Sequence, residues 1–142
     1  MDRARIYKGV TVSTVIAVIS LPKTVKASRF IELKSVVKKI EPSKIPQVMN
    51  LNITSKYKKY KVFMEMHENL MLFREGDEVL FGIYFKKPVF KEDDFLGRGI
   101  VFKVEKDKVY ISIGGFLTVV EGKMKTLPSV GSEVYVKLSK IS

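Results

Sequence analysis

The sequence predicts an all-β protein, built as a closed barrel or a sandwich of short strands. Apolar residues alternate with polar ones along most of the chain, turn-forming residues separate these runs, and no helical stripe is longer than a turn or two. Because successive side chains of a strand point to opposite faces, each alternating run offers one apolar face to a shared core.

The alternating runs start at residue 30 and continue to the C-terminus. Their predicted inward faces, in chain order, are Ile31, Leu33, Ser35 and Val37; Met49, Leu51 and Ile53; Tyr60, Val62, Met64 and Met66; Val79, Phe81, Ile83 and Phe85; Ile100, Phe102 and Val104; Val109, Ile111 and Ile113; Val134, Val136 and Leu138.

Residues that tolerate tight turns or a positive φ lie between these runs. They occur at residues 75–77, 106–108, 114–115 and 128–131. Residues 86–94 contain Pro88 and three consecutive carboxylates, and they predict one long exposed loop. The carboxylates lack the glycine-containing spacing of a calcium loop.

The length of 142 residues fits one domain, which we assign to residues 30–142, with residues 1–29 as an N-terminal extension of unknown role. Basic residues precede an apolar run at residues 10–21, an order that mimics a secretory signal peptide. The run is shorter than a membrane span needs. An added strand or an upstream leader are the other interpretations. We expect a cytoplasmic protein without a membrane partner.

The composition argues against catalysis. The chain has no cysteine and a single histidine, His67, which excludes disulfides, thiolate metal sites and paired-histidine zinc sites. Gly97 and Gly99 begin like a dinucleotide fingerprint, but the third glycine and the surrounding βαβ unit are missing. We therefore predict no catalytic residues, no metal, no cofactor and no small-molecule substrate.

The formal net charge of +11 indicates an anionic partner, such as nucleic acid or an acidic protein face. One segment interleaves cations with rings, as single-strand-binding proteins do. Its candidate nucleic-acid-binding residues are Lys56, Tyr57, Lys58, Lys59 and Lys61. The other interpretation, which we favour, is a solvated hairpin tip whose lysines keep the strand edge soluble.

The C-terminal third carries a family resemblance. Residues 95–105 read Phe-Leu-Gly-Arg-Gly-Ile-Val-Phe-Lys-Val-Glu, and residues 109–117 read Val-Tyr-Ile-Ser-Ile-Gly-Gly-Phe-Leu. A Val-Glu-Gly step at residues 120–122, Leu127 and a closing run at residues 134–141 follow. This order resembles the eighth-subunit family of nuclear RNA polymerases, which has an archaeal member. The resemblance covers about residues 32–141.

The resemblance implies an antiparallel barrel of about eight short strands of the oligonucleotide/oligosaccharide-binding (OB) type. It further implies a peripheral, non-catalytic polymerase subunit that packs against the largest subunit. By interface physics, a rigid barrel that presents strand edges and aromatic anchors can brace a flexible region of that subunit without chemistry of its own. The expected partner-binding residues are Gly114, Gly115, Phe116 and Tyr135. Phe116 departs from the family's usual leucine, residues 54–59 make a longer connection than a tight hairpin needs, and residues 1–30 have no counterpart.

The alternative is a free-standing OB-fold protein that binds single-stranded nucleic acid. In the subunit interpretation, contact with nucleic acid is possible but secondary. A small ribosome-associated protein would share the basic charge but has no supporting motif.

Overall fold

The computed structural model describes residues 29–57 and 59–141. Eight strands and one short 3-10 helix lie within these ranges. They are β1 (Arg29–Pro42), β2 (Val48–Ser55), β3 (Lys61–His67), the 3-10 helix (Glu68–Leu70), β4 (Glu78–Tyr84), β5 (Phe95–Glu105), β6 (Lys108–Ile113), β7 (Phe116–Glu121) and β8 (Glu133–Lys140). The predicted extension at residues 1–29 lies, except for Arg29, outside the described residues. Within the described residues, no helix is long and apolar enough to cross a membrane.

The strands close into one antiparallel barrel in the order β1-β2-β3-β7-β6-β5-β8-β4, with β4 returning to β1. The prediction of an all-β barrel of about eight strands is thus confirmed. Every described strand has a hydrogen-bonded neighbour on both sides over part of its length, while some segments, such as residues 103–105 of β5, pair on one side only. Most of the strand edges expected to brace a partner are therefore occupied within the barrel itself.

The core fills the barrel interior. Most of the predicted inward faces are buried, including the whole set on β3 from Val62 to Met66 and that on β8 from Val134 to Leu138. On β1, the predicted inward Ser35 is fully buried, and its hydroxyl donates to the carbonyl of Leu33. Period-two patterning therefore identified the core of six strands, because one face of each packs inward.

The inward face predicted for β5 was wrong. Ile100 is 51% exposed and Phe102 is 48% exposed, whereas Val101 between them is completely buried. The register of β5 against β6 shifts between Val101 and Lys103, so Phe102 is the additional residue of a β-bulge. After the bulge Val104 again packs against the core. The predicted inward Phe85 also lies outside, because β4 ends at Tyr84.

Strand β7 was missed by the alternation analysis. Its inward side chains are Thr118 and Val120, while Leu117 and Val119 are only half-buried on the outer side. A polar residue inside and apolar residues outside give no alternation that a sequence pattern detects.

Strands β5 and β6 approach closely at two glycines of β5. A Cβ atom at Gly99 would lie 2.7 Å from the carbonyl oxygen of Ser112, and one at Gly97 would lie 2.7 Å from the Ile113 side chain. The Gly-Arg-Gly sequence that begins like a nucleotide fingerprint thus serves strand packing, since a glycine in a strand permits close backbone approach.

Candidate functional site

The turn between β6 and β7 contains two of the expected partner-binding residues. Gly114 has φ +58° and Gly115 has φ +93°, and Ile113 pairs directly with Phe116 across this two-residue hairpin. Positive φ at both central residues is the geometry of the type I′ turn, which favours glycine. Among the described residues, apart from the glycine itself and its two chain neighbours, no heavy atom lies within 4 Å of a Cβ built at either position. The pair is therefore needed for its backbone conformation and not for a close approach.

We expect replacement of both Gly114 and Gly115 by valine to destabilise the barrel. Each L-residue in the left-handed region costs about 1–2 kcal/mol, which corresponds to a fall of several degrees in melting temperature. Thermal unfolding measures this effect. Gly114→Asn is the control, because asparagine tolerates the left-handed region and Asn-Gly is a preferred type I′ sequence. An unchanged melting temperature in the double valine variant would show that the turn relaxes without cost.

The fourth expected partner-binding residue, Tyr135, lies on β8 opposite Arg98 of β5. Strands β7, β6, β5 and β8 are consecutive in the barrel, so the β6–β7 turn and Tyr135 belong to one wall. A shallow groove of about 340 Å³ runs over this wall, lined by the turn glycines and by Arg98, Gly99, Ile100, Ser112 and Glu133. The Arg98 Nε lies 3.6 Å from a carboxylate oxygen of Glu133 across the groove.

An exposed apolar strip, whose residues were predicted to lie in the core, continues this wall. Ile100 and Phe102 point outward, and the Phe102 ring centroid lies 6.1 Å from that of Tyr110 on β6. The Tyr110 hydroxyl donates to Glu105 at 2.9 Å. This hydrogen bond is the largest cause that lowers the pKa of Glu105 and raises the pKa of Tyr110. We call Ile100, Phe102 and the adjoining groove the β5 wall.

The candidate nucleic-acid-binding residues lie in the connection between β2 and β3. The Tyr57 ring is 80% exposed. Lys59 and Lys61 are exposed too, and the Lys56 Nζ lies 2.8 Å from a carboxylate oxygen of Glu78. The fifth candidate, Lys58, lies outside the described residues.

Tyr60 connects this segment with a distant part of the chain. Its buried ring packs against Gly122, where a Cβ atom would lie 2.8 Å from the Tyr60 Cγ. Its hydroxyl donates to the carbonyl of Lys123. The amide of Gly122 in turn donates to the carbonyl of Asp107, at 2.9 Å. Three connections, β2–β3, β5–β6 and β7–β8, therefore meet at one end of the barrel.

Between these connections lies a cleft of about 660 Å³, which we call the basic cleft. It is lined by Thr54, Ser55, Lys56, Tyr57, Lys59, Tyr60, Lys61, Asp107, Glu121, Gly122 and Lys123. An adjoining cavity adds Lys125 beside Lys59, Tyr60 and Lys123. Lys123 and Lys125 were not predicted as site residues; their local signal in the sequence is a short lysine-rich stretch at residues 123–125.

Tyr84 is buried against the barrel wall. The Tyr84 hydroxyl donates to Glu32 at 2.6 Å. Burial, and then this hydrogen bond, raise the pKa of Tyr84. The hydroxyl therefore stays protonated at neutral pH and links β4 to β1. Within residues 29–57 and 59–141, no three histidine, aspartate or glutamate side chains are grouped so that they could hold a metal ion.

The family model for the G subunit of DNA-directed RNA polymerase matches residues 30–141. A comparison with curated proteins found no match to the chain. The matched range contains seven of the eight strands in full, and it covers β1 from its second residue onward. The β5 wall and the basic cleft both lie within it, and the resemblance of the C-terminal third to a family of RNA polymerase subunits is confirmed at that level. The chain therefore belongs to the G-subunit family of DNA-directed RNA polymerase, a component of the transcription machinery.

Proposed function

We propose that the chain is a non-catalytic, peripheral subunit of an archaeal RNA polymerase, and that it braces the largest subunit by docking through the β5 wall. Family membership supplies the polymerase as the partner. The observation that carries the choice of surface is the exposed pair Ile100 and Phe102, two large apolar side chains that lie outward at the β-bulge of β5.

Interface physics supports this surface. Because the strands close into a barrel, most strand edges are already paired, which favours docking through side chains over the addition of a strand. Large apolar side chains on a paired strand lose little conformational freedom on binding, and a few such anchors commonly supply most of the binding energy. Gly114 and Gly115 line the groove beside Ile100, while Phe116 and Tyr135 lie on other strands of the same wall, and we propose that all four contact the partner at its rim.

Assembly with the polymerase tests the proposal. A tagged full-length chain expressed in the native organism should co-purify with the large polymerase subunits in stoichiometric amounts. Ile100→Asp or Phe102→Asp should lower this recovery at least tenfold, because a charge replaces an interface anchor worth about 2 kcal/mol or more. Quantitative mass spectrometry of the purified complex measures the ratio.

Ile45→Asp is the matched control. Ile45 is 54% exposed, close to the value of Ile100, but lies in the β1–β2 connection away from the β5 wall. Ile45→Asp should leave the recovery of polymerase subunits unchanged. The melting temperatures of all variants show whether a lower recovery reflects lost docking or lost folding. Equal recovery of the Ile100→Asp, Phe102→Asp and Ile45→Asp variants would contradict the choice of surface. Recovery of the wild-type chain as a free monomer without polymerase would favour the free-standing alternative.

A further inference from the structure

We propose that the basic cleft binds single-stranded nucleic acid, with lysines that contact phosphates and Tyr57 that stacks on a base. This site lies at the end of the barrel where the β2–β3 and β7–β8 connections meet. The proposal is independent of docking through the β5 wall, which uses other residues.

The charge in the cleft is unbalanced. Its wall contains two carboxylates, Asp107 and Glu121. Glu121 lies opposite Lys61 of β3 on one side and Lys108 of β6 on the other. Among the described residues, Lys59, Lys123 and Lys125 make no ion pair, and all three border the same space. Clustered cations without carboxylate partners attract a polyanion and gain affinity when its counterions are released.

The exposed ring of Tyr57 identifies the kind of polyanion. An aromatic side chain that is 80% exposed beside several lysines is the arrangement with which proteins bind bases and phosphates together. An acidic protein segment would use the lysines but offers no planar group for the ring. A duplex keeps its bases stacked inside the helix, so only a single strand presents a free base face.

The cleft is large enough and is already formed. Its volume of about 660 Å³ lies in the range of ordinary small-ligand sites, sufficient for a nucleotide. The Tyr60 ring on Gly122 and the Tyr60 hydroxyl on the carbonyl of Lys123 hold the two connections together. The lysines from distant parts of the sequence are therefore held near one another before any ligand binds, which reduces the entropic cost of binding.

Affinity for labelled oligouridylate and oligothymidylate of about twelve nucleotides tests the proposal, with the full chain and fluorescence anisotropy at several salt concentrations. The variant with Lys59, Lys123 and Lys125 changed to serine should bind at least tenfold more weakly at physiological salt. Its slope of log affinity against log salt should fall by about 2, since each lost phosphate contact removes about 0.7 for a single strand.

The control changes Lys38, Lys44 and Lys86 to serine. These three lysines are exposed, make no ion pair among the described residues and lie outside the cleft, so the variant loses the same charge. It should retain most of the affinity. Equal losses in both triple variants would overturn the proposal, because binding would then be a general effect of net charge.

Tyr57 provides the second arm of the test. Tyr57→Ala should weaken binding about tenfold, whereas Tyr57→Phe should bind like the wild type, because stacking needs the ring and not the hydroxyl. Binding of a polyglutamate peptide in the cleft without binding of either oligonucleotide would instead identify an acidic protein segment and overturn the proposal. The cleft variants should co-purify with polymerase normally. A negative result in the oligonucleotide test therefore leaves the docking proposal intact, and a negative result in the docking test leaves this proposal intact.

Discussion

Replacement of Gly99 by alanine is expected to lower the free energy of unfolding by about 1–3 kcal/mol, the usual cost of forcing an added group into a packed site. The new Cβ atom would lie 2.7 Å from the carbonyl oxygen of Ser112 and 2.8 Å from the Ile111 side chain. The first of these is a backbone atom in the strand that pairs with β5, so it cannot move away without disturbing the β5–β6 pairing.

Equilibrium unfolding in urea measures this loss. Arg98→Ala, one residue earlier on the same strand, is the control, because its side chain is exposed and its ion pair with Glu133 lies at the surface. Exposed substitutions of this kind usually change stability by less than about 0.5–1 kcal/mol. A Gly99→Ala variant as stable as the wild type would show that β5 and β6 separate freely at this point.

Replacement of Tyr60 by alanine should destabilise the barrel further, by about 3–5 kcal/mol, as for other buried aromatic side chains. The ring is buried with the core, it packs on Gly122, and its hydroxyl donates to the carbonyl of Lys123. Loss of the ring therefore leaves a cavity and also separates the β2–β3 connection from the β7–β8 connection.

Two further variants, Tyr60→Phe and Tyr57→Ala, separate the contribution of the Tyr60 hydroxyl to stability from that of its buried ring. Tyr60→Phe keeps the ring and removes one hydrogen bond, so it should cost about 0.5–1.5 kcal/mol. Tyr57→Ala removes the same type of ring from an exposed position and should change stability by less than about 0.5 kcal/mol. Thermal unfolding of the three variants gives this ranking. A small effect of Tyr60→Ala, similar to that of Tyr57→Ala, would contradict the role of Tyr60 as a core residue.

Much of the fold could be predicted from the sequence, because the alternation of side chains along a strand and the residue preferences of a turn depend only on neighbouring residues. The inward face of β3 follows from the alternation that begins at Tyr60, and the β6–β7 turn follows from two adjacent glycines that tolerate a positive φ. The same local features, in their order along residues 32–141, carried the resemblance to the polymerase family that residues 30–141 match.

The tertiary structure decided what depends on pairing between strands. The bulge at Phe102 arises from the register of β5 against β6, and it shifts the alternation so that Val104 packs inward while Ile100 and Phe102 lie outside, where alternation alone assigned all three to the core. Closure of the barrel pairs β3 with β7, and this brings Lys123 and Lys125 beside Lys59 across more than sixty residues of sequence. The sequence by itself determined seven of the eight described strands, the turns and the family. The β5 wall and the basic cleft required the structure, because non-local hydrogen-bond register and barrel closure leave no periodic signal in the chain.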